Sequence, residues 1–181
     1  MNWESNYQRW LKKVDDPVLR KKILSLDSEK QKKDHFEGYA SFGTGGIRAK
    51  MDIGTKYFNK YTVGRATVGL GNYLIKANVV YKEKGVVISY DTRANSKNFA
   101  WETASILSRM GIKVYLSDFY RPTPELSFLV RDFHAAAGVM ITASHNPYQY
   151  NGYKVYNKLG CQITLSAAKK IIKEISHLNY S

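Results

Sequence analysis

The chain has 181 residues, with 28 Lys+Arg against 15 Asp+Glu and a formal net charge of +13. Hydrophobic residues at 44% and charged residues at 24% exclude a disordered chain, and the length suits one domain with a core able to fold unaided. No window approaches the roughly 18 uninterrupted apolar residues of a membrane span. The polar start Met1–Trp10 has no apolar secretory core, and the single cysteine, Cys161, excludes an internal disulfide and a multi-cysteine metal cluster. These features point to a reducing cytoplasm and no membrane partner.

Much of the basic excess sits in Lys12–Lys33, interleaved with acidic residues, as on a solvated helical face. Although 14 Tyr, 7 Phe and 3 Trp are present, no stacking motif of the RNA-binding type accompanies them, so the charge does not argue for a nucleic-acid partner.

Residues 1 to about 37 read as helical. Trp3, Tyr7, Trp10, Leu11 and Val14 recur at three- and four-residue spacing, and Asp15-Asp16-Pro17 marks a break before a second helix. Phe42–Arg48, FGTGGIR, is a glycine-dense turn. Thr62 offers an N-cap to a helix whose inner face carries Val63, Ala66, Leu70, Leu74 and Ala77. Val86–Ile88 reads as a buried strand. A helix follows, capped by Asn95 or Ser96, lined by Phe99, Thr103, Ile106, Leu107 and Met110, and ended by Gly111. Ile112–Leu116 is a second strand. Thr123-Pro124 opens a helix carrying Leu126, Leu129, Val130 and Phe133, and Ala137–Ile141 is a third strand. Asn151-Gly152 is a turn signal before the alternating residues 153–156. Behind Thr164, Leu165, Ala168, Ile171, Ile172, Ile175 and Leu178 form an amphipathic helix.

Strand, helix, strand, helix, strand implies an α/β fold with parallel pairing and right-handed crossovers. The loops after the three strands, YDTRANS, SDFYRPT and TASHNPYQYN, then share one sheet edge. They carry Asp91, Arg93, Asp118, Arg121, Ser144 and His145. Ligands of open α/β sheets bind at that edge.

Ser144, just past a buried strand and beside His145, is positioned to take up a phosphoryl group if cations neutralise the transferred charge and a base accepts its proton. A capped turn with a hydrogen-bonding serine is the competing reading. No G-x-S-x-G surrounds Ser144, which argues against acyl transfer. The amides of FGTGGIR could form an anion nest with Arg48 as a phosphate fork, or serve backbone geometry alone. No Walker or dinucleotide fingerprint is present. A hairpin leaving the Ser144 loop returns Lys154 toward it; a solvated strand lysine is the alternative.

Taken together, TASHNP (Thr142–Pro147), YNGYKVY (Tyr150–Tyr156), FGTGGIR and YDTR (Tyr90–Arg93) resemble the α-D-phosphohexomutase family of phosphoglucomutases and phosphomannomutases. FGTGG, the N-terminal helices and KYTVGRATVGLGNYL look most like its phosphoglucomutase/phosphopentomutase branch. The likeness covers roughly residues 40–178, the family's first domain. It implies a three-layer αβα domain (residues 40–181) with a mostly parallel mixed sheet, preceded by a helical extension (1–39). It also implies that Ser144 is the phosphoserine, that Mg2+ binds through its phosphate, and that Arg48 and Lys154 contact the transferred phosphate and move protons. His145 would line the substrate site. The substrate would be a sugar phosphate, with a sugar bisphosphate as intermediate and activator.

The aspartate-rich DGDxDR-type metal loop, the GExSGH-type sugar loop and the RPSGTEP-type phosphate loop have no counterpart in this sequence, and Ala49 stands where the family usually has glycine. The expectation is therefore a first domain incomplete for turnover alone: a truncated product, a split subunit or an excised fragment. Missing mutase domains or a partner chain would complete it, and self-association through the Trp3/Trp10 stripe or the helix Leu165–Leu178 is expected. A non-catalytic phosphate- or polyanion-binding module and an inactive remnant are the alternatives.

Overall fold

In the computed structural model, which describes residues 2–178, helices and a mixed sheet alternate as the sequence leads one to expect. Three strands form its parallel heart: β2 (Val86–Tyr90), β3 (Val114–Leu116) and β4 (Ala137–Ile141). Strand β1 (Gly46–Lys50) lies at the far edge, and β5 (Tyr150–Asn157) runs between β1 and β4, giving the order β1-β5-β4-β2-β3. β5 pairs antiparallel with both neighbours, so it alone runs against the other four.

Alternation within the strands divides the side chains between two faces. Val86, Ile88, Val139, Ile141, Tyr153 and Val155 enter the larger core. That core is closed by α4 (Lys60–Ala77), α6 (Ser96–Arg109) and α8 (Leu165–Ser176). On the other face Val87, Met140 and Tyr156 meet Leu126 and Val130 of α7 (Thr123–Asp132). The result is three layers, with α7 packed against β2 and β4.

The N-terminal region is three helices: α1 (Trp3–Lys13), α2 (Pro17–Leu24) and α3 (Glu29–Phe36). Asp16 caps α2, and a Ser28–Gln31 capping box starts α3. Trp10, Val14, Ile23 and Phe36 close on Ile53 and Tyr61 of the following chain. Trp10 is 2% exposed, so the tryptophan stripe is a core and not the free surface expected for self-association. On α8, Ala168, Ile171 and Ile175 are buried, while Leu165 and Ile172 reach solvent.

Several local expectations shift. Asn59, not Thr62, caps α4; its side chain accepts from the backbone N–H groups of Tyr61 and Thr62, and the Thr62 hydroxyl accepts from Asn59 N–H in return. Ala77, placed on the inner face, is exposed. Asn95 occupies the N-cap position of α6 at φ 63° but makes no side-chain cap bond. Pro122 is the N-cap of α7, so Thr123 is already helical. Helix α5 (Tyr81–Lys84) precedes β2.

Asn151 and Gly152 do not turn. They lie inside β5, and the reversal occurs earlier, across residues 142–149. Gly152 is needed for contact and not for conformation: a Cβ there would sit 2.5 Å from the Thr142 carbonyl and 2.9 Å from that of Ile47.

Candidate active site

Ser144 stands just beyond β4, exposed, with φ at 58°. A left-handed backbone costs a non-glycine residue about 1 kcal/mol, so the surrounding bonds must hold it. Ser144 N–H donates to Thr142 Oγ1 at 3.0 Å, and Asn146 N–H donates to the Ala143 carbonyl at 3.1 Å. Arg93 supplies the strongest restraint. Its Nη2 donates to the carbonyls of Ser144 (2.7 Å) and Asn146 (2.6 Å), and its Nη1 to those of Pro147 (3.0 Å) and Tyr150 (3.2 Å). Its Nε lies 3.4 Å from Asp91 Oδ2.

Asp91 is itself fixed: its Oδ1 accepts from the Arg93 N–H and the Ser96 hydroxyl. The fully buried Asn151 amide then ties that loop to β5, donating to Ser96 Oγ and the Ala94 carbonyl. Arg93 and Asp91 therefore build the serine loop, and the guanidinium has little left to offer a ligand.

His145 is exposed, and its Nδ1 lies 3.4 Å from Ser144 Oγ. Arg48 enters from a strand the sequence did not disclose: β1 carries it opposite Gly152 of β5. Its Nη1 donates to Asn146 Oδ1 at 3.0 Å, which joins the glycine-turn segment to the serine loop across 98 residues. Lys154 lies two residues further along β5, opposite Gly46 of β1 and Met140 of β4.

Residues paired across neighbouring strands share a face, so Arg48 and Lys154 lie on the α7 side of the sheet. Helix α7 packs on β2 and β4, and the β1–β5 half of that face is left to the two cations. Half-burial, reinforced by the Arg48 charge, lowers the Lys154 ammonium below the usual lysine value, against a smaller opposing pull from Asp91.

The anion nest expected in FGTGGIR is partly spent: Gly43 N–H closes the turn onto the Gly46 carbonyl at 2.7 Å. Asp118 and Arg121 pair with each other at 2.9 Å on the loop after β3. Among the described residues no three His, Cys, Asp or Glu side chains gather as a metal-holding group. Asp91, the carboxylate on the neighbouring loop, is bound by Arg93 and Ser96. The described residues therefore do not gather a carboxylate set for magnesium. Among the described residues no helix is long and apolar enough to cross a membrane.

The family profile for phosphoglucomutase/phosphomannomutase, alpha/beta/alpha domain I, matches residues 40–180. This chain belongs to that family. A phosphoglucomutase from Staphylococcus saprophyticus is 41% identical over 169 residues, covering 93% of this chain and 30% of that protein. A phosphoglucomutase from Staphylococcus epidermidis is 42% identical over 171 residues, covering 94% and 31%. A crystal structure from Thermus thermophilus, bearing the name phosphomannomutase, aligns with a TM-score of 0.69 at 36% identity, over 76% of this chain and 30% of that one. The Paramecium phosphoglucomutase parafusin shares the fold at a TM-score of 0.64 and 22% identity, over 78% and 26%. The chain thus spans about 30% of the length of the curated relatives it matches.

Proposed function

We propose that this chain is the phosphoserine-bearing first domain (residues 40–181, with the helices of 1–39 as an extension) of a cytoplasmic sugar-phosphate mutase. Such an enzyme interconverts a hexose or pentose 1-phosphate with the 6- or 5-phosphate through a bisphosphate. The observation that carries the proposal is the exposed Ser144, held at positive φ by Arg93, with Arg48 and Lys154 on the part of the sheet face beyond the strands that α7 packs against.

In the transfer, the Ser144 Oγ–P bond breaks, a new bond forms from phosphorus to a sugar hydroxyl oxygen, and the hydroxyl proton leaves to a base. Lys154 suits that base because burial and Arg48 favour its neutral form. Arg48 offers a fork for the phosphoryl oxygens, and His145 sits where it would line the sugar site. A magnesium ion would neutralise phosphate charge, with carboxylates coming from outside the described residues. The remaining domains or a partner chain would supply those and the sugar contacts, so the chain is incomplete for turnover alone.

The test incubates the 181-residue chain with glucose 1,6-bisphosphate and magnesium, with and without the remaining domains of a staphylococcal relative. Intact mass should show one added phosphoryl group, mapped to Ser144 and absent in Ser144→Ala, and turnover of glucose 1-phosphate should need the added domains. Turnover retained by the reconstituted Ser144→Ala protein would remove Ser144 from its role. Saturable sugar-phosphate binding with no phosphoryl transfer, even after reconstitution, would favour the non-catalytic binding module.

A further inference from the structure

A second concentration of positive charge lies away from the serine loop. The outer sides of α4 and α6 and the end of α1 enclose a groove of about 680 Å³, and no residue of β1, β5 or the Ser144 loop lines it. Five cations line it: Arg9, Lys13, Lys60, Arg65 and Arg109. Two carboxylates oppose them, Asp15 and Glu102. Asp15 is already committed: it accepts from Lys60 Nζ at 3.0 Å and from the Tyr61 hydroxyl at 2.8 Å, which hold its carboxyl at about 2. Arg65 is engaged too, donating through Nε to the Leu178 carbonyl at 3.2 Å and lying over the Tyr39 ring.

The remaining cations are different. Arg9 Nη1 is buried and has no hydrogen-bond acceptor. Lys13 and Arg109 have no ion-pair partner among the described residues. A guanidinium does not deprotonate near neutral pH, so a buried N–H without an acceptor is a standing cost. An anion entering the groove would meet Lys13 and Arg109, both exposed and without an ion pair, beside the Arg9 side chain, and a net excess of three positive charges. The volume exceeds what one phosphate needs, and arginine forks match the planar faces of phosphoryl oxygens.

We propose that this groove is a second anion site, separate from the serine loop, that binds a small metabolite with two or more linked phosphoryl groups. Arg9, Lys13 and Arg109 are its principal ligands. The wall is Tyr61, packed edge-on against Trp10 at 4.9 Å between ring centroids. No bond is made or broken there.

Pyrophosphate is the probe, titrated calorimetrically into the 181-residue chain at low ionic strength, with the Trp10 indole N–H followed by NMR. One saturable site that shifts the Trp10 signal is expected. Arg9→Gln and Arg109→Gln should each weaken it by roughly tenfold or more, Arg9→Lys should recover part of the loss, and Arg48→Gln should leave it unchanged. Thermal melts cover the case of a poorly folding variant. Pyrophosphate should raise the midpoint of the parent chain and leave that of Arg109→Gln nearly unmoved. Affinity unaltered by both groove variants, loss of binding in Arg48→Gln instead, or citrate binding as tightly as pyrophosphate would each overturn the proposal.

Discussion

Arg93 holds the Ser144 peptide from outside its own strand: Nη2 donates to the Ser144 carbonyl at 2.7 Å, across 51 residues of sequence. Three more carbonyls of the same loop share that guanidinium. The serine's position is therefore set by a residue of the loop after β2, the strand beside β4.

Replacing that residue should loosen the loop before it unfolds the protein. Arg93→Ala is expected to cost about 2 kcal/mol, the scale of a few part-exposed charged hydrogen bonds, in urea denaturation. Amide exchange at residues 143–147 should quicken by more than the global loss explains. Arg93→Lys should not rescue it, because a single ammonium cannot span four carbonyls. Unchanged exchange in that segment would show that the turn holds itself.

Gly152→Ala tests the strand junction. The new methyl group would meet two backbone carbonyls that cannot swing aside, so a loss of about 3 kcal/mol is expected from urea midpoints. A loss under about 1 kcal/mol would mean that β1 and β5 can separate cheaply.

Lys154 should titrate below an ordinary lysine, and Arg48→Gln should bring it part of the way back up. Burial, the larger cause, remains after the Arg48 charge is gone. The check is the pH dependence of the Lys154 ammonium or methylene signal by NMR in both proteins. A Lys154 midpoint that stays put in Arg48→Gln would separate the two side chains electrostatically.

The helical extension is fastened by a pH-dependent pair. His35 Nε2 faces Asp52 Oδ2 at 3.8 Å, and the Tyr57 ring stacks on the imidazole. The Asp52 carboxylate raises His35 above 6.5, and His35 in turn lowers Asp52 below 3.8. The histidine's contribution is complete below 6.5 and fades as pH rises through its raised folded value. The aspartate's is complete above 3.8 and fades as pH falls through its lowered folded value. The pair should therefore help most between those limits, by at most about 1 kcal/mol, because Asp52 is partly solvated. The stability gap between the parent and His35→Gln should narrow from pH 6 to pH 9; a constant gap would assign His35 a packing role only.

Asn59→Ala should cost about 2 kcal/mol in the same denaturation series. It removes the α4 cap and also strands the Asp52 and Gly54 carbonyls that the Asn59 amide reaches. Thr62→Ala, on the other half of the capping box, should cost less.

Much of this molecule can be read without coordinates. Strand β4 and the Val86–Ile88 start of β2 are short apolar runs because both of their faces are buried, and such runs are visible in one dimension. The crossover helices show their inner faces at helical spacing. Strand β1 stayed hidden because GIRAK offers one buried apolar side chain, Ile47, and takes its regularity from β5 more than a hundred residues away. Asn151-Gly152 misled for a related reason. The pair has turn chemistry, yet here the glycine serves close contact between three backbones, which only the pairing creates.

The site divides the same way. Ser144, His145, Arg48 and Lys154 were nameable from short motifs, since each motif is local. The clamp of Arg93 was not, because its acceptors are backbone carbonyls, which every residue possesses and no pattern marks. By itself the sequence determined the family, the α/β alternation and the sheet edge at which polar loops collect, all of which follow from local periodicity and motif spacing. Only the tertiary structure decided that Arg48 and Lys154 share a sheet face left open by α7, that Arg93 is consumed in building the loop, and that one nitrogen of Arg9, Nη1, is buried without an acceptor. Those outcomes depend on strand register and on helix coverage of the sheet, which are set by contacts between distant segments and leave no trace in neighbouring residues.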